Sequence, residues 1–400
     1  MEDLLFLAHR IPYPPDKGDK IRSWHMLRHL TGNWRVHLGA FVDDPADWAH
    51  VATLRALCAD VCLRPLAPHA GRLRALSGLL TGEALSLPYY RDRAMTQWVD
   101  AKLASGIRTV VVYSSAMARF VMRAQGVRRI MDFVDIDSDK WRQYAPTKPW
   151  PLSWLYAREA RKLLDWERQV TRRFDASLFV SAAEARDFRA LLPDQAGKVG
   201  FFNNGVDDTY FSPAHGFDSP FPATSRALVF TGAMDYWPNV EAVTWFVQEV
   251  LPRIRTVFPD CRLHIVGSRP TPAVQALAGD GVTVTGRVPD VRPYLAHAAV
   301  VVAPLRIARG IQNKVLEGMA MAKAVVATPQ ALEGISAQPG TEVAVAETAD
   351  AQAREVLQLL RSPDRARTMG TAARQRVEAG HTWAPNLARL DALLRQADGG

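Results

Sequence analysis

Cysteine is scarce in this chain: 400 residues hold three, Cys58, Cys62 and Cys261, an odd count without metal-ligand spacing. That excludes a disulfide-stapled scaffold and predicts a reduced, cytoplasmic protein. Cys58 and Cys62 lie four apart and read either as small buried residues on one helix face or as a redox pair. No apolar run reaches the roughly 18 residues that a membrane-crossing helix needs. The nearest, around 298–305, reads as a buried strand. The start, Met1-Glu2-Asp3-Leu4-Leu5, is acidic and runs straight into a strand, unlike a signal peptide. No Gly-x-Gly-x-x-Gly follows that strand, which counts heavily against a nicotinamide-dependent oxidoreductase. A dense basic run, zinc-finger spacing and an aromatic RNA-binding signature are also missing, so nucleic acid is not an expected partner.

What is present is an ordinary globular composition, 48% hydrophobic, with length for two or three domains. Lys and Arg number 49 against 41 Asp and Glu, a formal net charge of +8. Such a balance suits an anionic partner: a membrane surface, a phosphorylated lipid or a nucleotide sugar. Apolar runs at 4–8, 36–42, 61–65, 109–113, 129–134 and 177–181 alternate with amphipathic segments, the pattern of buried parallel strands. A stretch rich in Pro, Gly and Ser at 211–222 breaks every period. The pattern then restarts, with strands at 227–231, 262–266, 282–285, 300–304 and 324–327, and helices at 240–258, 272–277, 291–298 and from about 312. The reading is α/β: two Rossmann-like, doubly wound parallel-sheet domains at 1–210 and 224–380, a linker at 211–223, and a last helix with its tail at 381–400.

The most informative segment is Arg309-Gly310-Ile311-Gln312-Asn313-Lys314-Val315-Leu316-Glu317-Gly318-Met319-Ala320, where an apolar strand gives way to a helix. In an open α/β sheet, ligands bind at such junctions. Gly310 lets backbone approach a ligand, helix-start amides and Lys314 suit phosphate oxygens, and the carboxylate of Glu317 accepts hydrogen bonds from vicinal hydroxyls. The combination describes a sugar-nucleotide site.

Other constellations surround it. The opening loop, His9-Arg10-Ile11-Pro12-Tyr13-Pro14-Pro15-Asp16-Lys17-Gly18-Asp19-Lys20-Ile21-Arg22, ends in a glycine at a helix start, which presents backbone amides to an anion or is a plain turn. Lys17, Asp19 and Arg22 are its candidates for contact with an acceptor; Lys20 adds charge or is a solvated helix residue. Asp132-Phe133-Val134-Asp135-Ile136-Asp137-Ser138-Asp139-Lys140-Trp141 packs four aspartates into eight residues, and like charges this close require basic partners, which Lys140, Arg142 and the opening loop can supply. Three readings stand for it: sugar or acceptor contact through Asp135 and Asp137, helix capping by Asp137 and Ser138, or magnesium. Asn203-Asn204-Gly205-Val206-Asp207 reads as a hinge-side turn or a substrate contact. Trp150-Pro151-Leu152-Ser153-Trp154-Leu155-Tyr156 precedes a basic helix that suits an anionic membrane face, or, through the stripe Leu163, Trp166, Val170 and Phe174, the core.

These motifs together resemble GT-B glycosyltransferases of the large retaining family four. The opening loop and the window 132–145 sharpen the resemblance toward the sugar transferases of PEP-CTERM/exosortase exopolysaccharide clusters, across nearly the whole chain. The resemblance implies two domains facing a central cleft, with the last helix crossing back so that Trp383, Leu387, Leu390 and Leu394 pack on the first. It implies that Glu317 holds the donor ribose, that Lys314 holds the diphosphate, that Gly18, Gly232 and Gly310 approach the donor, and that Arg287 and Val288 lie against the base. Asp135, Lys314 and Arg309 are the implied catalytic group; Asp135 stands where many members carry His, and Arg309 where many carry a second, sugar-reading Glu. The loop Thr231-Gly232-Ala233-Met234-Asp235-Tyr236-Trp237-Pro238-Asn239 lacks the Arg and Lys with which many relatives clamp the diphosphate, leaving backbone approach by Gly232 and capping by Asn239. The implied activity is transfer of a sugar from a nucleoside diphosphate sugar to a lipid-linked or oligosaccharide exopolysaccharide acceptor. Retention of configuration, no bound metal, no cofactor and peripheral contact with the anionic inner membrane are expected with it. A nucleotide-sugar-binding scaffold without turnover is the alternative.

Overall fold

The computed structural model describes residues 1–15, 18–222, 225–308 and 310–395. It divides into two compact units, Met1–Phe202 together with the chain from Leu387 on, and Asn203–Asn386. The change of unit falls at Phe202 and Asn203, so the Pro-rich stretch at 211–222 belongs to the second unit.

The first unit is built on seven strands: β1 (Asp3–Ala8), β2 (Arg35–Val42), β3 (Asp60–Pro65), β4 (Thr109–Tyr113), β5 (Arg128–Val134), β6 (Ala176–Phe179) and β7 (Val199–Phe201). All pair in parallel, in the order β3-β2-β1-β4-β5-β6-β7. Helices cover both faces, so the inner strands are apolar without alternation; Leu4 to Ala8 and Val110 to Val112 are completely buried. The second unit repeats the scheme with β8 (Arg226–Thr231), β9 (Cys261–Val266), β10 (Val282–Gly286), β11 (Val300–Ala303), β12 (Val325–Ala327) and β13 (Ala344–Val345), all parallel, in the order β10-β9-β8-β11-β12-β13. In each sheet the chain winds outward from a central strand, returns, and winds the other way. The switch points, between β1 and β4 and between β8 and β11, are where the carboxyl ends of the strands leave a crevice.

Several elements differ from the sequence reading. The single helix expected at 240–258 starts earlier and is broken into Trp237–Trp245, a π-helical turn Phe246–Val250 and Leu251–Arg255, with Pro252 removing a donor from the ladder at the break. In the helix Leu152–Arg173 both readings have their place: Leu163, Val170 and the adjoining Phe174 are buried, whereas Trp150, Leu152 and Trp154 are exposed. The last helix, Trp383–Arg395, begins in the second unit at Trp383 and joins the first from Leu387. There Leu387, Leu390 and Leu394 are buried and Asp391 lies 2.9 Å from His29 Nε2. Gly205 is structural: a Cβ there would sit 2.4 Å from the Trp383 nitrogen, while Val206 N–H donates to the His381 carbonyl at 2.8 Å. Among the described residues no helix is long and apolar enough to cross a membrane.

Candidate functional site

In the second unit, the β8/β11 switch point gathers the segment that stands out in the sequence. The strand β11 ends at Ala303, Gly310 adopts φ +62, and the helix Asn313–Ala320 begins. It lies close on the sheet because residue 318 is glycine; a Cβ there would already be 3.1 Å from Val301 and 3.2 Å from Val325. Lys314 and Glu317, three apart, therefore share the helix face at the strands' carboxyl ends.

Lys314 is held from the neighbouring loop. Its Nζ donates to Asn239 Oδ1 at 3.0 Å and sits 5.3 Å from the Phe230 ring centre. Asn239 is buried, and its Nδ2 donates to the Ala233 carbonyl at 2.9 Å. Asn239 is thus not the helix cap expected of it but a strut between the loop after β8 and the lysine. Gly232 makes room for the strut, since a Cβ there would meet Asn239 Nδ2 at 2.7 Å and Lys314 Cε at 3.5 Å. Gly267, after β9, packs so tightly on the Gly232 backbone that a Cβ would fall 1.6 Å from the Gly232 carbonyl oxygen.

Burial pushes the Lys314 ammonium down to about 8, against the pull of Glu317. It pushes the Glu317 carboxyl up to about 7, against the pull of Lys314. The pair is a half-buried cation and carboxyl on one helix face, surroundings in which a phosphate oxygen or a hydroxyl is bound more strongly than in open water. Beside it, Thr231 Oγ1 and Asn313 Oδ1 are buried with no hydrogen-bond partner among the described residues.

Two further loops meet here. After β10, Arg287 is exposed and Val288 half-buried, while Asp290 takes the Arg292 guanidinium at 3.0 and 2.7 Å. Arg292 also stacks 3.7 Å over Tyr210, whose hydroxyl reaches Asp290 at 3.5 Å. Burial pushes the Tyr210 phenol up, and the charges of Asp290 and Glu317 add to that. Nothing in the sequence marks Tyr210, since it lies 80 residues from Asp290. After β9, Arg269 adopts φ +52 and bonds Asp235 of the first loop at 3.0 Å. Arg309 lies outside the described residues.

The first unit has its own cluster at the β1/β4 switch point. Asp19 pairs with Arg10 and lies 3.4 Å from His9; Tyr113 donates to the Asp19 carbonyl at 2.8 Å and stacks with His9 at 5.6 Å. Burial alone would raise the Asp19 carboxyl, but His9 and Arg10 hold it well below the usual carboxylate range. His9, Arg10 and Asp43, which also pairs with Arg10 at 2.9 Å, escape the sequence reading because arginine and histidine at a strand end look like solvated termini. Gly18 opens its helix with nothing within 4 Å of a Cβ, so no contact requires glycine there. Lys17 lies outside the described residues.

Arg22 and Lys20 require correction. Arg22 is completely buried, forked on Asp132 at 2.8 and 3.2 Å, bonded to the Phe202 carbonyl at 3.0 Å and stacked 3.7 Å from the Phe202 ring. It holds the fold and presents no face to an acceptor. Lys20 is not solvated but buried against Asp47 at 2.6 Å.

The four aspartates each find a basic partner: Asp132 has Arg22, Asp135 and Asp137 share Lys140 at 2.7 and 3.4 Å, and Asp139 has Arg142. The capping expected of Asp137 and Ser138 comes from elsewhere. Buried Glu167 accepts from the Ser138 N–H at 3.0 Å and from its hydroxyl, and Glu184 accepts from the Ile136 N–H at 2.9 Å. Burial pushes Glu167 up to about 8, partly offset by Ser138. Asp135 is aimed by strain: Val134 before it has φ +71, costly for a β-branched residue, and the β5/β6 register slips between Asp132 and Val134. Among the described residues no group of three or more His, Cys, Asp or Glu is placed to hold a metal ion.

Residues 225–362 match the family model described as Glycosyl transferases group 1. No curated protein's sequence matches the chain. Among solved structures, the chain is similar over 99% of its length to 99% of the sucrose-phosphate synthase of Thermosynechococcus elongatus, with 17% identity and a TM-score of 0.69. It is similar over 99% of its length to 100% of Anabaena HepE in complex with UDP and glucose, with 13% identity and a TM-score of 0.68. The same coverage, with 14% identity and a TM-score of 0.63, relates it to WaaG, a glycosyltransferase involved in lipopolysaccharide biosynthesis. The two parallel-sheet units are therefore those of the GT-B fold, and the second carries a glycosyl transferases group 1 domain.

Proposed function

We propose that this chain is a glycosyltransferase that moves a sugar from a nucleoside diphosphate sugar to a lipid-linked exopolysaccharide acceptor, with retention of configuration and without a metal ion. The observation that carries the reading is the desolvated Lys314 and Glu317 pair at the β8/β11 switch point, with Asn239 holding the ammonium in place. Lys314 neutralises the diphosphate as the sugar leaves, an interaction that strengthens as charge develops and so lowers the barrier. Glu317 accepts from the ribose hydroxyls. The backbone near Gly232 and Gly310 approaches the donor, and the loop of Arg287 and Val288 meets the base. The donor phosphate takes the acceptor's proton on the face that the leaving group occupied, which is what retention requires. Asp135, released from Lys140, contacts the transferred sugar or the acceptor. The matched family and the UDP complexes of HepE support a nucleotide sugar as co-substrate. The resemblance of the opening loop and of residues 132–145 to PEP-CTERM/exosortase-associated transferases supports the exopolysaccharide acceptor.

The pairing of Asp135 with Lys140 favours one second reading, a nucleotide-sugar-binding scaffold without turnover. Slow hydrolysis of one donor in a panel of nucleotide sugars separates the two: it requires a working leaving-group site, whereas binding without hydrolysis and without transfer leaves the scaffold. Transfer should persist undiminished in excess EDTA; loss of turnover that magnesium or manganese restores would contradict the metal-free part of the reading.

A further inference from the structure

The second sheet carries a groove beside its outer strands. Trp245, Arg306, Ile307, Gln330 and Glu347 line a cavity of about 380 Å³. Arg306 and Ile307 follow β11, Gln330 follows β12 and Glu347 follows β13, neighbours in the sheet. Arg306 reaches across to the helix Trp237–Trp245, pairing with Glu241 at 3.1 Å and lying 5.5 Å from the Trp245 ring centre. Gln330 Nε2 donates to Glu347 at 3.4 Å. Two acceptors are left over: Glu241 Oε2 and Gln330 Oε1 are buried with no hydrogen-bond partner among the described residues. A plain surface stack of arginine on tryptophan has no reason to bury unsatisfied oxygens. Trp237, Glu241 and Trp245, at i, i+4 and i+8, share one helix face, and the two tryptophans stand about 12 Å apart along the axis. Asn239, two residues after Trp237, turns to the other side of the helix to hold Lys314. Trp237 and Ile307 are large and apolar yet 46% and 45% exposed.

We propose that this groove binds a neutral oligosaccharide, at a site separate from that of Lys314 and Glu317. A pyranose ring has an apolar face of C–H groups and a rim of hydroxyls. The indoles of Trp237 and Trp245 offer flat apolar faces to the first, and the planar ends of Arg306, Gln330, Glu241 and Glu347 meet the second with donors and acceptors alike. The leftover oxygens of Glu241 and Gln330 need donors, which hydroxyls supply. Charge decides between ligand classes. Two carboxylates repel an anion and the Arg306 guanidinium repels a cation, so the fit is to an uncharged polyol. The span from Trp237 to Trp245 exceeds one sugar ring, which selects a chain over a monosaccharide. The proposal stands on the groove's own side chains and does not depend on the transferase reading.

The test is binding of the full chain to an array of neutral and acidic oligosaccharides, followed by calorimetry with the strongest neutral binder. At least one neutral oligosaccharide should bind, its constituent monosaccharide should bind about tenfold or more weakly, and saturating UDP should leave the affinity unchanged. Trp237→Ala and Arg306→Ala should each weaken binding about threefold to tenfold, the first by removing a stacking face and the second by removing a forked donor. Both side chains are about half exposed, so melting temperature and the thermal shift with UDP should match the unaltered chain. Absence of any neutral binder, a preference for acidic oligosaccharides, or variants that bind like the unaltered chain would each overturn the proposal. So would displacement of the oligosaccharide by UDP, since the sugar would then occupy the Lys314 site. A missing UDP shift with oligosaccharide binding intact would count against the transferase reading alone.

Discussion

On the proposed function, Lys314 concentrates the chemistry. Buried to a value near 8, it is an ammonium whose cost of desolvation is only partly met by Asn239 and Glu317. Because its folded value lies below its unfolded one, the unfolded chain binds more protons between about 8 and 10.5, and the unliganded fold gains stability as pH rises through that window. A diphosphate reverses the preference. It favours the ammonium and takes up a proton on binding above pH 8, so donor affinity should fall by up to roughly tenfold per pH unit there. Calorimetry in buffers of differing ionisation enthalpy reads this directly; a pH-independent affinity from pH 7 to 9.5 would contradict it. Lys314 and Glu317 are legible in the sequence because their pairing is local, one helix turn. Asn239 is not, since its role depends on a partner 75 residues away, and Arg22 is misleading for the same reason, with Asp132 110 residues distant.

Elements tell the same story of local and distant signals. The inner strands read correctly because burial on both faces leaves unbroken apolar runs, whereas Val199–Phe201 and Ala344–Val345 are too short to stand out and exist only through parallel pairing with β6 and β12. The Asp cluster announces itself, but its caps, Glu167 and Glu184, come from other helices. Two substitutions test how elements are joined. Arg22→Ala leaves Asp132 buried without its guanidinium and should cost about 3–5 kcal/mol in denaturant unfolding. A loss below about 1 kcal/mol, the range of an exposed pair, would contradict the structural role assigned to Arg22. Gly267→Ala forces the loops after β8 and β9 apart and should cost more than about 3 kcal/mol, seen as a lowered melting temperature. An unchanged melting temperature would mean that the two loops are not in this contact.

At the scale of the whole molecule, two doubly wound sheets place two polar clusters at two switch points: Lys314, Glu317, Asn239 and Tyr210 in one unit, His9, Arg10, Asp19 and Asp43 in the other. The first is the half a sequence reader finds, because a strand, a glycine, a lysine and a glutamate follow one another in the chain. The second assembles from the ends of β1 and β2 and the start of the helix Gly18–Asn33, and becomes visible only when the fold brings them together. On the proposed function, the first cluster binds and activates a nucleoside diphosphate sugar. The most direct measurement is release of nucleoside diphosphate from a panel of nucleotide sugars by the full chain and by Lys314→Ala. One donor should be turned over by the unaltered chain, and the variant, with an unchanged melting temperature, should turn it over about 100-fold to 1000-fold more slowly. Turnover within a few-fold of normal in Lys314→Ala would contradict the account.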